Sequence, residues 1–503
     1  MTDRSGRRSI LGPCDARTPA GTFRGIPDPG GSGTRAFRGI RYAQPPVGRF
    51  RLRPPQPLAA TAENHLIDAT RFGAAPPQIP PPYLPDVDRF DEDCLTLNVW
   101  SPRSGEPLPV LVWLYGGGFK SGGASARFYD GTTLALHGAV VVSVNYRVGA
   151  VGFGTFAHRG ADLSGMSNLG LRDVIAALRW IRDNIAGFGG DPRRVCVVGQ
   201  SAGAFLAGAL LGAPAADGLY TTVVPMSGGP YKIIDQRTAV EMGDGILAAV
   251  GISAAERVTH ERLARVPLAE WMAAADVITE PDVGDRNAVR IQGLAVVDDS
   301  HLPGGVLAAH PMRREIRRDV RILLTATAQE SAFWQRQGAD QFRPAQTDQD
   351  LERDLVRWGI GDQAARQRIV RYYRAAGGTP EDARLRILTD WIFVLPEARA
   401  ALRANEQGAR GWLACLSVPG LPATGHLDDT AHFFGTAPGP TPAQREFGAR
   451  YRDTVIRFAA HATPGWPPLA TPSGCVRHLS GTVDDRSGEL APMLAAWHGV
   501  TRD

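Results

Sequence analysis

The chain has 503 residues, 43% of them hydrophobic and 21% charged, a composition typical of a globular enzyme with a large core. Its 55 Lys and Arg are nearly offset by 51 Asp and Glu, and the net charge of +4 gives no basic stripe for a nucleic-acid partner. No run approaches the roughly 18 apolar residues of a membrane span, and no signal segment is expected. The Arg-rich start (Arg4, Arg7 and Arg8) is interpreted as a solvated tail.

The cysteines are few and widely spread. The five of them are Cys14, Cys94, Cys196, Cys415 and Cys475. None forms a CxxC pair, so a zinc site is not expected. Their odd number and scatter suit reduced thiols, which predicts a cytoplasmic protein. The sequence leaves the oligomeric state open.

The N-terminal part of the chain predicts short strands and loops. Residues 21–57 have the pattern of short strands joined by turns, and the Pro-rich stretch 74–85 predicts a surface loop rather than a domain linker. Residues 95–100 (LTLNVW) alternate, which predicts a half-buried strand.

The middle of the chain predicts a parallel sheet buried on both faces. Near-continuous apolar runs occupy 108–115, 139–146 and 194–198, as expected of such strands. Between the last two, apolar positions 171, 174, 175, 178 and 181 follow helical spacing. Strand–helix–strand alternation indicates an α/β fold.

A polar stretch interrupts this pattern further on. Residues 204–211 (AFLAGALL) predict a buried helix, and strands are expected at 222–226 and 320–325. The segment 233–310 between these strands is mostly helical in pattern, and it predicts an insertion over one end of the sheet. The whole chain, 1–503, is therefore interpreted as one domain with a helical insertion.

The segment 199–203 (GQSAG) predicts a nucleophile. It follows a β-type run and precedes an apolar helix, and in such a turn the serine is forced into a strained conformation with its hydroxyl exposed. Small flanking residues let strand and helix approach closely, and the helix N-terminus favours developing negative charge. Ser201 is the predicted nucleophile; a structural turn that happens to contain serine is the alternative.

A second glycine-rich segment, 115–119 (YGGGF), follows a buried strand directly. Glycines leave backbone N–H groups unobstructed, so those of Gly117 and Gly118, with that of Ala202, could bind the oxyanion of a tetrahedral intermediate. A flexible turn is the alternative.

Several separated blocks resemble one family. These are 37–51 (FRGIRYAQPPVGRFR), 92–99 (EDCLTLNV), 115–119, 168–203 and 458–467 (FAAHATPGWP). They resemble the type-B carboxylesterases, which include bacterial para-nitrobenzyl-type esterases, animal carboxylesterases and cholinesterases. The resemblance implies an α/β-hydrolase fold, with a large, mostly parallel central sheet flanked by helices, a small N-terminal sheet and helical insertions.

The resemblance also implies a histidine base. Residues 425–435 (GHLDDTAHFFG) are similar to the family block in which the catalytic histidine precedes an acid by three residues, which makes His426 the base and Asp429 the trailing acid. That acid is usually Glu, and Leu427 stands where Gly is common. His432 is interpreted as a packing residue, with the role of base as its alternative.

The triad acid is expected between nucleophile and base in the chain. Glu330 follows a predicted strand, and its block is similar to the family's Asn-x-x-Glu-Gly, although Thr327 replaces Asn and Ser331 replaces Gly. Glu330 is the predicted acid, with Asp348 and Asp390 as alternatives.

The resemblance implies roles for other residues as well. Glu92 is expected to pair with Arg51, and Asp173 to satisfy nearby backbone or an arginine. Ser227 matches a position close to the catalytic histidine and is a candidate hydrogen-bond partner for it. The usual disulfide partner of Cys94 is missing.

The function that follows is two-step acyl transfer to water. Ser201 attacks the carbonyl of a small-molecule ester while His426 takes its proton, and no metal or organic cofactor is required. The neutral Gln200 and the lack of Trp in 74–90 argue against choline esters, so short, medium-chain or aryl esters are expected. The alternatives are a non-catalytic binding protein, an acyltransferase or amidase with the same triad, and a lipase whose lid is the Pro-rich loop.

Overall fold

The computed structural model describes residues 14–27, 31, 33–59, 65–82, 84–276, 282–338 and 340–501. The Arg-rich start lies outside the described residues. The strands are β1 (Asp15–Thr18), β2 (Gly21–Arg24), β3 (Ile26–Pro27), β4 (Thr34–Arg41), β5 (Leu66–Asp68), β6 (Thr96–Pro102), β7 (Leu108–Leu114), β8 (Val140–Val144), β9 (Gly190–Gln200), β10 (Thr222–Met226), β11 (Ile233–Ile234), β12 (Val296–Val297), β13 (Arg321–Thr327), β14 (Arg410–Leu416), β15 (Cys475–Leu479) and β16 (Val483–Ser487).

Helices lie in the longer connections between these strands. They are α1 (Thr132–Leu136), α2 (Gly149–Phe153), α3 (Leu169–Asn184), α4 (Ala202–Ala209), α5 (Gln236–Ala249), α6 (His260–Ala264), α7 (Leu268–Ala274), α8 (Val283–Arg286), α9 (Ala332–Arg336), α10 (Asp348–Arg357), α11 (Gln363–Ala375), α12 (Pro380–Thr389), α13 (Leu395–Glu406), α14 (Thr430–Phe434), α15 (Pro442–His461) and α16 (Leu490–Ala496). No helix in the described part of the chain is both long and apolar enough to cross a membrane.

A mixed sheet of eleven described strands forms the centre of the molecule. Its order is β16-β15-β14-β13-β10-β9-β7-β8-β6-β4-β3, and the strands from β15 to β8 in that order are parallel. Antiparallel strands complete both edges. A small sheet, β1-β2-β5, lies near the N-terminus. The predicted fold class, a large, mostly parallel sheet with a small N-terminal sheet, is confirmed.

The apolar runs of the sequence become the centre of this sheet. Strands β8 and β10 are buried at every residue, and β7 at every residue after its first. Helix α3 covers the predicted stretch 171–181, and its five apolar positions are all buried. Burying each such side chain stabilises the fold by about 1.5–3 kcal/mol. A strand that is covered on both faces therefore carries apolar residues at successive positions instead of alternating apolar and polar ones.

Strand β6 differs from its prediction. Its alternating sequence predicted a half-buried strand, but all residues from Thr96 to Ser101 are buried. The polar residues are accommodated by hydrogen bonds: Asn98 Oδ1 accepts from the Gly39 N–H at 2.9 Å, and its Nδ2 donates to Ser143 Oγ at 3.0 Å. Polar groups that form hydrogen bonds can be buried at little cost. The alternation of polar and apolar residues in β6 therefore did not indicate an exposed face.

The segment 233–310 connects β10 to β13, which are neighbouring parallel strands of the sheet. It carries α5 to α8 and the two-stranded parallel pair β11–β12, and most of its described residues lie outside these helices; that it forms a helical insertion stays a prediction. Residues 277–281 of the segment lie outside the described residues.

The first half of the Pro-rich stretch is packed into the protein. Residues 74–78 are buried, and Gln78 accepts a hydrogen bond from the Gly122 N–H and donates one to the Gly122 carbonyl, both at 2.7 Å. This half of the predicted surface loop is therefore fixed beside the glycine-rich segment that follows β7.

Candidate active site

The predicted site residues follow the carboxyl ends of parallel strands. Ser201 comes directly after β9, Gly117 and Gly118 follow β7, Glu330 follows β13, and His426 lies in the loop after β14. Because these strands are parallel and only β10 separates β13 from β9, their carboxyl ends lie at one edge of the sheet, where ligands of open α/β sheets bind.

Ser201 occupies the strained turn that its sequence predicts. Its φ is 55° and its ψ is −120°, a conformation that side-chain-bearing residues rarely adopt. Its backbone N–H donates to the Met226 carbonyl at 3.0 Å, which ties the turn to the neighbouring strand. A Cβ placed on Gly199 would lie 2.2 Å from the Gly203 carbonyl oxygen, so only glycine lets the strand and helix meet this closely.

His426 and Glu330 are in direct contact. Nδ1 of the imidazole lies 2.7 Å from Oε2 of the carboxylate, and the other oxygen, Oε1, accepts from the Thr327 N–H at 2.7 Å. The backbone N–H of His426 also donates to the Glu330 carbonyl at 3.1 Å. A carboxylate facing Nδ1 accepts its proton, which leaves Nε2 as the unprotonated nitrogen of the neutral ring.

The loop keeps its backbone conformation although the usual glycine is absent. Leu427 has a φ of 78°, in the left-handed region that glycine favours. Holding Leu there costs about 1–2 kcal/mol, which the surrounding contacts of the histidine loop must offset. The departure from the family pattern at this position therefore adds strain without moving His426 away from Glu330.

Gln200 makes an unexpected contact with the imidazole. Its amide Nε2 lies 3.1 Å from Nε2 of His426, while its Oε1 is buried and has no hydrogen-bond partner among the described residues. Ser201 Oγ has no hydrogen bond to His426 in the described part of the structure and is partly exposed. Hydrogen bonds of this kind often form only when substrate is bound, so the missing contact does not exclude the pair.

Three backbone N–H groups in the lining of the cavity at Ser201 have no acceptor among the described residues. Within the described residues, those of Gly117, Gly118 and Ala202 donate to no protein atom, and all three residues line the same cavity as Ser201 and His426. Unengaged N–H groups beside a nucleophile are the arrangement that an oxyanion requires.

The cavity above Ser201 has a volume of about 410 Å³ and is partly open to solvent. One wall is aromatic: Trp334 stacks on the His426 ring with centroids 4.9 Å apart, and Phe393 lies 5.1 Å from it. The sequence analysis missed both residues. Trp334 follows Glu330 by four positions, at the start of a helix. This spacing could have indicated that Trp334 lies near the site.

The second aromatic residue enters the cavity from an irregular helix. A π-helical turn, Asp390–Val394, separates α12 from α13 and places Ile392 and Phe393 in the lining. Pro396 has no N–H to donate to the Ile392 carbonyl four residues earlier, which accounts for the break in the α pattern.

Two further carboxyl groups are buried behind the triad positions. Burial raises the pKa of Glu397 well above its usual range, and the nearby Glu330 charge raises it further, although Oε1 accepts from the Gly228 N–H at 2.9 Å. Burial and then Glu330 likewise raise the pKa of Asp429 to about 7. Sequence reasoning did not identify Glu397, which lies within an ordinary helical pattern and has no motif around it.

The alternative acids and base lie away from the imidazole. Asp348 is half exposed and pairs with Arg374, whereas Asp390 accepts from the Tyr373 hydroxyl at 2.6 Å. His432 packs with its ring 6.0 Å from that of Phe447, and it does not line the cavity.

The structural pairs expected from the family resemblance are present. The guanidinium of Arg51 donates to Glu92 at 2.6 Å, and Arg147 pairs with the buried Asp173 at 2.6 Å. The expectation for Ser227 is wrong, because its Oγ is buried and has no hydrogen-bond partner among the described residues. Its φ is 53°, and its backbone N–H donates to the Thr325 carbonyl at 2.6 Å.

Together the sheet and the turn after β9 define an α/β-hydrolase. The chain belongs to the carboxylesterase family, whose family model matches residues 14–472. The crystal structure of a carboxylesterase from Geobacillus stearothermophilus has a TM-score of 0.80 to this chain at 28% identity, and the match covers 96% of this chain and 100% of that one. The predicted family and fold are confirmed.

Two curated relatives illustrate the range of this similarity. The para-nitrobenzyl esterase of Bacillus subtilis (strain 168) is 38% identical over 254 residues, which are 49% of this chain and 50% of that protein. The phenmedipham hydrolase of Pseudarthrobacter oxydans is 33% identical over 366 residues, 70% of this chain and 68% of that protein. The chain thus spans about half the length of the first relative and about two thirds of the second.

Proposed function

We propose that the protein is a serine carboxylesterase that hydrolyses short, medium-chain or aryl carboxylic esters, with Ser201, His426 and Glu330 as its triad. The contact of 2.7 Å between His426 Nδ1 and Glu330 Oε2, beside a nucleophile turn in a cavity, carries the proposal. Membership of the carboxylesterase family supports the reaction class.

The first half of the reaction acylates the serine. His426 Nε2 takes the proton of the Ser201 hydroxyl as Oγ attacks the ester carbonyl carbon, and the carbonyl π electrons move onto its oxygen. Glu330 holds the proton on Nδ1 and stabilises the imidazolium that forms. Collapse of the tetrahedral intermediate breaks the ester C–O bond, and the alcohol leaves with the proton from Nε2.

The second half returns the free enzyme. Water gives a proton to Nε2 of His426 and attacks the acyl carbon, and the carboxylic acid leaves as Ser201 Oγ regains its proton. In both halves the N–H groups of Gly117, Gly118 and Ala202 bind the oxyanion. Loss of one such donor would reduce transition-state stabilisation by about 3 kcal/mol.

The apolar part of the cavity lining favours esters with acyl or aryl groups. Its volume of about 410 Å³ lies within the range of small-ligand sites, and Trp334, Phe393 and Phe205 give it flat apolar walls. The two relatives are a para-nitrobenzyl esterase and a phenmedipham hydrolase, and the name of the first contains an aromatic benzyl group.

The proposal is tested by hydrolysis of 4-nitrophenyl butyrate with the wild type and Ser201→Ala, both checked for folding by circular dichroism. We expect turnover by the wild type and a loss of about a thousandfold or more in the variant. Ser227→Ala is the matched control, because the Ser227 hydroxyl forms no hydrogen bond to any described residue, and its activity should stay close to the wild type. A folded wild type that is inactive across several acyl chain lengths would overturn the proposal.

We also propose a reducing, cytoplasmic location, since all five cysteines are free thiols and Cys94 and Cys196 are fully buried. Cell fractionation with thiol labelling tests this, and oxidised cysteines in the native protein would contradict it.

A further inference from the structure

The cavity above Ser201 is lined by cationic side chains. Lys120, Lys232 and Arg286 belong to its lining, whereas the described lining residues include no Asp or Glu. A cleft whose charges share one sign concentrates ligands of the opposite sign, and the effect strengthens where apolar walls exclude water. The three cations differ in how far their charge is already compensated.

Arg286 is the cation with the least compensation. Its Nη2 donates to the neutral amide oxygen of Gln341 at 2.9 Å, and its Nε is buried with no acceptor among the described residues. Burial lowers the pKa of Arg286, with the charge of Asp282 acting in the opposite direction. The guanidinium remains charged, so a desolvated cation lies in the cavity without an ion pair to any described residue.

The acids closest to Arg286 in the chain are bound to other arginines. Asp282 accepts from Arg384 at 3.0 Å, and Asp285 pairs with Arg357. Leaving a buried charge unpaired is costly, so an anionic ligand that pairs with Arg286 would remove this cost.

The two lysines behave differently. Lys120 forms an ion pair with Asp276 at 2.8 Å, so its charge is largely compensated. Lys232 donates to the amide oxygen of Asn287 at 2.9 Å and lies 5.3 Å from the centroid of Phe205. Phe205 is on α4, one turn after Ser201, so the Lys232 ammonium lies on the side of the cavity next to the nucleophile.

From this arrangement we infer that the cavity selects esters that carry a carboxylate, with Arg286 as the residue that determines this specificity. The guanidinium presents planar N–H groups that match a carboxylate, and Lys232 is a second cationic residue of the same lining. The inference rests on the proposed esterase function and names the substrate class of that site. In this proposal Arg286 binds the substrate carboxylate and takes no part in the chemical steps. Its replacement should therefore affect the hydrolysis of anionic esters far more than that of neutral ones.

The test compares two substrates of equal acyl length, mono-4-nitrophenyl adipate and 4-nitrophenyl hexanoate. We expect wild type to have the higher kcat/KM for the adipate ester. Arg286→Gln should lower the adipate-to-hexanoate ratio about tenfold or more, mainly through KM, and Arg286→Lys should restore most of it. Arg290→Gln is the matched control: it removes a partly exposed arginine paired with Glu241 outside the cavity lining, and should leave the ratio unchanged.

A second pair of substrates assigns the charge to one side of the ester. The butyrate ester of 4-hydroxybenzoate carries its carboxylate on the alcohol side, and phenyl butyrate is its neutral match. A preference that depends on Arg286 in either pair supports the inference and identifies the side.

Two results would overturn the inference. One is a wild-type enzyme that hydrolyses 4-nitrophenyl hexanoate but shows no preference for the anionic ester in either pair. The proposed esterase function would then remain, without the proposed specificity. The other is a ratio that Arg286→Gln leaves unchanged. If that variant does not fold, the wild-type ratio should fall several-fold between low and high salt, and a ratio independent of salt contradicts the inference.

Discussion

The amide of Gln200 donates a hydrogen bond, at 3.1 Å, to Nε2 of His426, the ring nitrogen that Glu330 leaves unprotonated. Gln200, which precedes the proposed nucleophile, thereby occupies the lone pair that accepts the serine proton in the proposed mechanism. In that mechanism, substrate binding has to displace this amide, or turn the ring toward Ser201, before acylation begins. The side chain at position 200 therefore contacts the imidazole as well as belonging to the turn at Ser201.

Gln200→Glu should change the pH dependence of the reaction. A carboxylate beside Nε2 cannot donate to it and instead favours the imidazolium, so the acidic limb of kcat/KM should move to higher pH by about one unit. The measurement is a kcat/KM profile against pH for a neutral aryl ester. Gln200→Met removes the N–H without adding charge and should move the limb in the same direction by clearly less; equal shifts in both variants would show that charge is not the cause.

Glu330→Gln should impair catalysis far more than it affects folding. The amide can present its N–H to Nδ1 and select the wrong tautomer of His426, so kcat should fall by about a thousandfold or more. Steady-state kinetics with circular dichroism checks this. Asp348→Asn is the matched control, because that carboxylate is half exposed and paired with Arg374, and its activity should stay close to wild type. Equal losses in the two variants would remove Glu330 from the triad.

Gly203→Ala should destabilise the fold. An added Cβ would lie 2.0 Å from the Leu114 carbonyl oxygen and 2.7 Å from that of Tyr115, so α4 would have to move off the end of β7. We expect a loss of several kcal/mol in the free energy of unfolding, of the order of other overpacked cores. Urea unfolding measures it. Gly218→Ala, whose Cβ meets open space at a φ of 78°, should cost only about 1 kcal/mol; similar losses at both glycines would contradict the steric explanation.

Asp390→Asn should stabilise the protein at neutral pH. Burial raises the pKa of Asp390 to about 7 in the folded state, against an ordinary value near 3.8 in the unfolded chain. Between these values the folded state binds the extra proton, so stability falls as pH rises, by up to about 1.4 kcal/mol per pH unit, and levels off above pH 7. Asn keeps an acceptor for the Tyr373 hydroxyl and does not titrate.

Thermal unfolding of Asp390→Asn and wild type at several pH values measures this effect. The difference in melting temperature should be small near pH 5 and should grow toward pH 7.5. A constant difference across this range would mean that Asp390 does not take up its proton on folding.

Much of the fold was predictable because its signals are local. The run 222–226 predicted β10 at its observed bounds, and helical spacing over 171–181 predicted most of α3. Strand β6 was described incorrectly, since hydrogen bonds to Asn98 allow polar residues to be buried. Such bonds come from residues distant in the chain and leave no periodic signal.

The site was predictable to a smaller extent. The turn at Ser201 carries its own signature, because the close approach of strand and helix demands small residues at fixed spacing. The aromatic wall formed by Trp334 and Phe393, and the buried Glu397, were not identified, as each belongs to a helix whose sequence resembles that of any packed helix.

The sequence by itself determined the parallel sheet, the nucleophile turn and the glycine-rich segment, since hydrophobic period and glycine spacing act over a few neighbouring residues. Only the tertiary structure decided that Glu330, rather than Asp348 or Asp390, meets His426, a partner 96 positions away. It also decided that Arg286 enters the cavity without a carboxylate, because Asp282 is engaged by an arginine a hundred residues later. Contacts of this range depend on how the strands are ordered in space, which no local pattern encodes.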